Sequence, residues 1–235
     1  MKVEVKWMNI QNVTMYASNF EKTKQFYLMH LAFPLASEDE NSFTFQAGQT
    51  TVTFRKALES DTPFYHFAFN VPSNQFDESK EWVKSKVSLS TEEGDDEVYF
   101  ENIDAKSIYF EDPAGNIVEF ICRLSDATAG DETFSAVSLQ KMSEMSLVVQ
   151  NKLEASSLLQ DVGIFNRSDE EILSTGLTFI GDRADATYLL LVNEGRTWYF
   201  STKQAVSYPL SITLTNGALI SIDDNRQLHC TTKVQ

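Results

Sequence analysis

The first readable stretch of the chain alternates apolar and polar side chains and then changes its period. The alternation predicts a half-buried strand, and its apolar members are Val13, Met15 and Ala17. Over residues 20–31 the apolar side chains recur at helical spacing, which predicts a helix with Asn19 as its N-cap. Residues 42–46 and 51–55 alternate again, with Gly48 available for the turn between them. The pattern therefore predicts a strand, a helix and two further strands.

The same order of elements returns from residue 65. A strand over residues 65–71 is followed by a helix whose apolar positions are Phe76, Trp82, Val83 and Val87. Three strand-like stretches come next, at residues 97–102, 106–111 and 116–123. The last two are separated by the sequence DPAGN, whose proline and glycine suit a tight turn between antiparallel strands.

A third opening can be laid on the first without a gap. Residues 144–165 align with residues 12–33, and in both segments apolar positions coincide along the strand and the helix. Five strand-like stretches follow, at residues 176–181, 187–193, 197–201, 210–215 and 218–223, but no fourth helix is predicted. We therefore predict a two-unit domain over residues 1–124, a linker over 125–142, and a third, degenerate unit over 143–235.

Composition excludes several classes of function. The chain has 235 residues, 42% of them hydrophobic, which is enough for a packed core. Its formal net charge of −15 would repel phosphate backbones and anionic lipids, so we expect neither nucleic acid nor a membrane as a partner. The chain has two cysteines, Cys122 and Cys230, without CxxC spacing, which favours reduced thiols in a cytoplasmic protein. Nucleotide-binding, zinc-protease and serine-hydrolase motifs are absent from the sequence.

Three segments of the chain resemble the vicinal-oxygen-chelate superfamily, the group of glyoxalases, bleomycin-resistance proteins and extradiol dioxygenases. The segments are NVTMYASNFEKTKQFYLMHLAF (12–33), YHFAFNV (65–71) and SIYFEDPAGNIVEF (107–120). They resemble, in order, the family's first strand and helix, the opening of its second unit, and its strand-turn-strand signature. The resemblance implies an α+β fold of tandem βαβββ modules that form a glyoxalase-like half-barrel cleft, here with a third, degenerate module.

The resemblance also implies a divalent metal in the cleft. It places one metal-ligating histidine at His66 and a metal-ligating glutamate at Glu119, and it puts Asn12 where another histidine is expected. Strand geometry agrees, because residues two apart share a face, so His66 and Glu119 would face the cleft while their apolar neighbours pack under helices. Nitrogen and oxygen ligands of this kind suit Fe, Mn, Ni or Zn. We therefore expect a metal site made by His66, Glu119 and Asn12.

Four further residues are expected to contact a small-molecule ligand. Thr53 corresponds to a fourth ligand position in some relatives, and Arg55 shares its parity and is an alternative partner for Glu119. Ser107 and Tyr109 share one parity on a neighbouring strand, where some relatives carry hydroxyls that contact substrate. Structural roles stay open for these residues, since hydroxyls also line polar interiors.

Three hypotheses about function follow. The first is an enzyme, a metal-dependent lyase or dioxygenase that acts on a small oxygen-bearing substrate. The second is a metal-free protein that binds a small molecule in an aromatic cleft, as bleomycin-binding relatives do. The third gives the segment from residue 143 onward a role in forming a homodimer, because unpaired modules expose sheet edges that need covering.

Overall fold

The computed structural model describes residues 8–125, 127–167, 172 and 176–232. The chain forms four consecutive units. Unit one contains β1 (Ile10–Ala17), α1 (Phe20–Gln25), a π-helical turn (Phe26–His30), β2 (Leu35–Glu38), β3 (Ser42–Ala47) and β4 (Thr50–Lys56). Unit two contains β5 (His66–Asn70), α2 (Phe76–Lys84), β6 (Val98–Phe100), β7 (Ala105–Glu111) and β8 (Ile117–Arg123).

The second half of the chain supplies the other two units. Unit three contains β9 (Met142–Val149), α3 (Lys152–Asp161), β10 (Thr178–Ile180) and β11 (Tyr188–Asn193). Unit four contains β12 (Leu210–Leu214), β13 (Ala218–Ile222) and β14 (Leu228–Thr232). The predicted α+β fold of repeated units is confirmed, and no helix among the described residues is long and apolar enough to span a bilayer.

The strands form two seven-stranded sheets. The first sheet joins units one and four in the order β14-β13-β12-β1-β4-β3-β2, and the second joins units two and three in the order β10-β11-β9-β5-β8-β7-β6. In each of the first three units the opening strand runs parallel to the last strand of that unit. The other edge of the opening strand pairs antiparallel with another unit, β1 with β12 and β5 with β9.

This pairing corrects the expectation that the first two units share one cleft. Units one and two contribute strands to different sheets, because the free edges of β1 and β5 are covered by unit four and unit three respectively. An uncovered edge would leave backbone N–H and C=O groups unpaired, so both pairings complete the hydrogen bonding of a central strand. The boundaries at residues 124 and 143 stay a prediction.

Apolar faces of both sheets share one core. The aromatic rings of Phe33 in unit one and Phe69 in unit two lie 5.7 Å apart, and Phe26 and Phe110 lie 6.3 Å apart. The predicted parity of β5 and β8 is confirmed, because Phe67, Phe69 and Phe120 are buried in this core. Residues of opposite parity on the second sheet are therefore free to form a separate site.

The DPAGN turn holds the start of β5 in place. The Tyr27 hydroxyl donates to Asp112 Oδ2 at 2.8 Å, and Asn116 Nδ2 donates to the same oxygen at 2.7 Å. Asn116 Oδ1 in turn accepts from the backbone N–H of Tyr65 at 2.8 Å. Burial raises the pKa of Asp112, and these donors oppose the shift. The turn thus links unit one to Tyr65, the residue that precedes His66.

Several local predictions differ from the structure. Asn19 does not cap α1 through its side chain, whose Nδ2 donates instead to the Pro113 carbonyl at 3.0 Å. Asn151, at the aligned position in unit three, does cap its helix, with Oδ1 accepting from two backbone N–H groups at 3.1 and 3.3 Å. Residues 197–201, predicted as a strand, form a loop, and the last strand, β14, which carries His229, was not predicted.

Candidate metal centre

Three buried ligand-type side chains meet on the second sheet. His66 lies on β5, Glu119 on β8 and Glu144 on β9, and one potential ligand atom from each lies within 4.8 Å of the others. These strands are neighbours in the order β9-β5-β8. All three residues are at most 5% exposed, so the cluster is largely shielded from bulk water.

Strand register explains why the three side chains converge. Ala68 on β5 is paired with Glu119 on one side and with Glu144 on the other. His66 stands two residues before Ala68 and therefore shares its face. Because Ala68 has only a methyl side chain, the two carboxylates and the imidazole can reach the space above it. The predicted convergence of His66 and Glu119 is confirmed, with Nε2 and Oε2 3.4 Å apart.

The imidazole of His66 is oriented as a metal ligand requires. Its Nδ1 lies 3.1 Å from the carbonyl oxygen of Ile117, which can only accept, so Nδ1 carries the proton and Nε2 presents a lone pair. Burial lowers the pKa of His66 to about 4, and the nearby charge of Arg196 lowers it further, against the opposing effect of the Ile117 carbonyl. The ring is therefore neutral at pH 7.

The two carboxylates stand close together, and neighbouring groups offset only part of the cost of burying them. Burial raises the pKa of Glu119, repulsion from Glu144 raises it further, and the adjacent hydroxyls of Ser107 and Tyr109 oppose the shift. Burial also raises the pKa of Glu144, whose Oε1 accepts from Arg123 Nη2 in a buried ion pair. The charges of Arg123 and Arg167 oppose the shift at Glu144, and two buried carboxylates this close together favour binding of an additional cation.

Glu144 is the site residue that sequence reasoning missed. It occupies the position in unit three that Asn12 occupies in unit one, since residues 144–165 align with residues 12–33. The opening strand of a unit does supply a site residue, but that residue comes from unit three and not from unit one. The available signal was a carboxylate inside β9, where all eight residues are buried.

Asn12, Thr53 and Arg55 do not join His66. Asn12 is exposed on β1 of the first sheet, and Arg55 is exposed on β4 of the same sheet. The Thr53 hydroxyl bonds to the Thr44 hydroxyl at 2.9 Å. The expectation that these residues share the site of His66 is corrected, because β1 and β4 belong to the sheet of units one and four, whereas His66 lies in the sheet of units two and three.

Ser107 and Tyr109 do lie beside the cluster. Tyr109 is paired with Glu119 across β7 and β8, and its ring lines the same cavity as His66. Ser107 is fully buried on the same face, with its hydroxyl next to Glu119 and Tyr109. Their role as substrate contacts stays a prediction, but their position next to Glu119 agrees with it.

A cavity of about 380 Å³ opens above the three side chains. Its other walls are largely apolar and aromatic, and they include Phe100, Tyr109, Phe179, Leu190, Trp198 and Tyr199. Arg196 adds a positive charge to this lining. The volume lies within the range typical of small-molecule sites, which are concave and mostly apolar with a few convergent polar groups.

The loop between β11 and β12 closes one side of the cavity. Its Trp198 ring lies 4.9 Å from the His66 ring, and its Phe200 ring stacks on Tyr109 at 4.8 Å. The backbone N–H of Phe200 donates to Glu92 of unit two at 3.3 Å. Unit three therefore contributes a candidate ligand, Glu144, and the loop that follows it contributes an aromatic wall.

Part of the chain matches the profile of a known protein family. A family profile described as toxoflavin-degrading enzyme matches residues 142–196, from the start of β9 to Arg196. No curated protein sequence matches the chain significantly.

Solved structures align over nearly the whole chain. A putative dioxygenase from Bacillus subtilis aligns with 97% of this chain and 85% of its own, at 15% identity and a TM-score of 0.61. Glyoxalase I from Zea mays aligns with 96% of this chain and 92% of its own, at 12% identity and a TM-score of 0.56. The resemblance seen in the sequence is confirmed, and the chain has the fold of the vicinal-oxygen-chelate superfamily of glyoxalases and dioxygenases.

Proposed function

We propose that the protein is a divalent-metal-dependent enzyme that acts on a small oxygen-bearing substrate in the cavity of the second sheet. His66, Glu119 and Glu144 would hold the ion. The observation that carries this proposal is the convergence of three buried ligand atoms, one from each of three adjacent strands, within 4.8 Å of one another.

The donor set fits a first-row divalent ion. Ligand atoms bound at roughly 2.1 Å to one ion lie about 3 to 4 Å apart, and the 3.4 Å between His66 Nε2 and Glu119 Oε2 falls in that range. The Ile117 carbonyl fixes the His66 tautomer, as outer partners of metal-bound histidines commonly do. One imidazole and two carboxylates would leave coordination positions open for substrate oxygens.

The chain's own residues would bind the substrate and control its protons. A bound divalent ion would supply Lewis-acid polarisation of substrate oxygens. Tyr109, whose hydroxyl stays protonated because burial and then Glu119 raise its pKa, can donate a hydrogen bond at the base of the cavity. Trp198 and Phe200 would exclude water from one side, which strengthens electrostatic interactions inside the site.

A metal-free binding protein is the second candidate function. The observation that favours it is that each ligand-type residue already has a protein contact, Glu144 with Arg123 and Glu119 with His66. In that case the aromatic cavity would sequester a small molecule without transforming it. Glyoxalase I and the putative dioxygenase resemble this chain in fold alone, so their reactions do not decide between the candidates.

Calorimetric titration with Mn²⁺ and with Zn²⁺ tests the metal proposal. We expect one ion per chain, with affinity reduced at least tenfold in His66→Ala, Glu119→Gln and Glu144→Gln. His229→Ala is a matched control, because His229 is more than half exposed and lies on the other sheet. Equal affinity in the site variants and the control, or absence of binding to the wild type, would favour the binding-protein candidate.

A further inference from the structure

Arg196 presents a positive charge to the cavity without a carboxylate partner. Its guanidinium carbon lies 5.5 Å from the centre of the Trp198 ring and 5.3 Å from that of Tyr199. Nη1 donates to the Thr197 carbonyl at 3.2 Å. Among the residues that the structure describes, Arg196 forms no ion pair with Asp or Glu, so most of its N–H donors remain available to a ligand.

The backbone holds Arg196 in a fixed position. Its carbonyl accepts from Ala205 N at 2.7 Å, and Gly195 N donates to the Ala205 carbonyl at 2.8 Å. Trp198, the next aromatic residue in the loop, is only 4% exposed and packs on His66. The guanidinium is therefore preorganised beside the three candidate metal ligands rather than carried on a free loop.

Charge balance in the cavity favours an anionic ligand. Arg123 is already paired with Glu144, whereas Arg196 in the cavity lining forms no ion pair with a carboxylate among the described residues. Burial lowers the pKa of Arg196, and the neighbouring Tyr199 and Tyr109 compensate only part of this shift. A negatively charged ligand would supply that compensation.

The shape of the walls favours a flat ligand. Phe100, Phe179, Trp198 and Tyr199 all line the cavity, and the Phe100 and Tyr199 rings meet edge to face at 6.1 Å. Aromatic faces and edges bind planar rings through stacking and edge contacts. The polar lining groups, by contrast, are those of the cluster, Tyr109, Asn102 and Arg196.

We propose that Arg196 orients the substrate, and that the substrate is a planar aromatic molecule with a negatively charged edge that contacts the guanidinium. The inference rests on the proposed function in one respect, that the occupant of the cavity is the substrate. An arginine can form two parallel hydrogen bonds to such an anionic edge. These charge-assisted bonds are stronger than those to an uncharged ligand of the same shape.

Calorimetry with two probes of the same shape tests the role of Arg196. Salicylate is planar and anionic at pH 7, whereas salicylamide is planar and neutral. We expect the wild type to bind salicylate about tenfold more tightly than salicylamide, and Arg196→Met to abolish this preference by weakening salicylate alone. Arg196→Lys should keep part of the preference. Arg55→Met is the control, because Arg55 is exposed on the first sheet and does not line the cavity.

Each titration is run with Mn²⁺ and with a chelator, which separates this inference from the metal proposal. An Arg196-dependent preference in a protein that does not bind Mn²⁺ supports the inference and removes the metal proposal. Mn²⁺ binding without such a preference does the reverse. The inference is overturned if Arg196→Met keeps the wild-type ratio, or if the wild type prefers neither probe or binds neither.

Discussion

The buried ion pair between Arg123 and Glu144 gives a quantitative prediction. Arg123 is 2% exposed and Glu144 4% exposed, so replacing Arg123 with methionine leaves a carboxylate buried next to Glu119 without its cation. Removing one partner of a buried ion pair typically costs about 3–5 kcal/mol of unfolding free energy. We expect the unfolding free energy of metal-free Arg123→Met to be lower than that of the metal-free wild type by an amount in this range.

Urea denaturation in a chelating buffer measures this loss. The double variant Arg123→Met/Glu144→Met should recover most of it, because a buried pair replaced by apolar side chains of similar volume is often neutral or stabilising. Mn²⁺ at 100 times its dissociation constant should stabilise the wild type by about 2.7 kcal/mol, and Arg123→Met by at least as much, since the ion replaces the missing positive charge. The double variant should lose most of this stabilisation.

Two results would refute this reasoning. A loss below about 1 kcal/mol in Arg123→Met would show that Glu144 is not held as a buried anion, since surface ion pairs have contributions of that size. A double variant no more stable than the single one would show that the cost comes from lost packing of the Arg123 side chain on the Tyr188 ring, 5.1 Å away.

Three further predictions address the site and its support. Ala68→Leu should weaken Mn²⁺ binding at least tenfold in calorimetry, because the larger side chain fills the space between Glu119 and Glu144, whereas Ala68→Gly should bind normally. Glu119→Gln should become progressively more stable than the metal-free wild type as the pH rises from about 5 to 8. The reason is that the folded pKa of Glu119 is raised, so its ionisation at higher pH destabilises the folded wild type. Urea midpoints of the two proteins that differ by a constant amount across this pH range would contradict the prediction. Tyr27→Phe should cost about 1–3 kcal/mol in urea denaturation, because it removes the hydroxyl donor to the buried Asp112 carboxyl, and Mn²⁺ affinity should not change.

Local order was largely predictable from the sequence because it depends on near neighbours. Strand alternation correctly oriented His66 and Glu119 to one face, and the DPAGN turn lies between antiparallel strands as expected. The loop over residues 197–201 was predicted as a strand from its aromatic residues, but Trp198 and Phe200 are buried against His66 and Tyr109 outside any strand ladder. Tertiary contacts can override a local preference of this kind.

Pairing between units was not predictable from the sequence. In each of the first three units, one edge of the opening strand forms its backbone hydrogen bonds within the unit. The partner of the other edge depends on which strands of other units can reach it. The sequence contained the alignment of Glu144 with Asn12 but no local signal that β5 would pair with β9 rather than with a strand of unit one. That choice decides which unit supplies the third side chain of the site.

The most direct test of the account is anomalous X-ray diffraction from crystals of the protein soaked in Mn²⁺. The account predicts one strong anomalous peak in the cavity of the second sheet, within bonding distance of His66 Nε2 and of both the Glu119 and Glu144 carboxylates. A cavity without a peak, while exposed acidic surface residues bind the ion, would contradict the account.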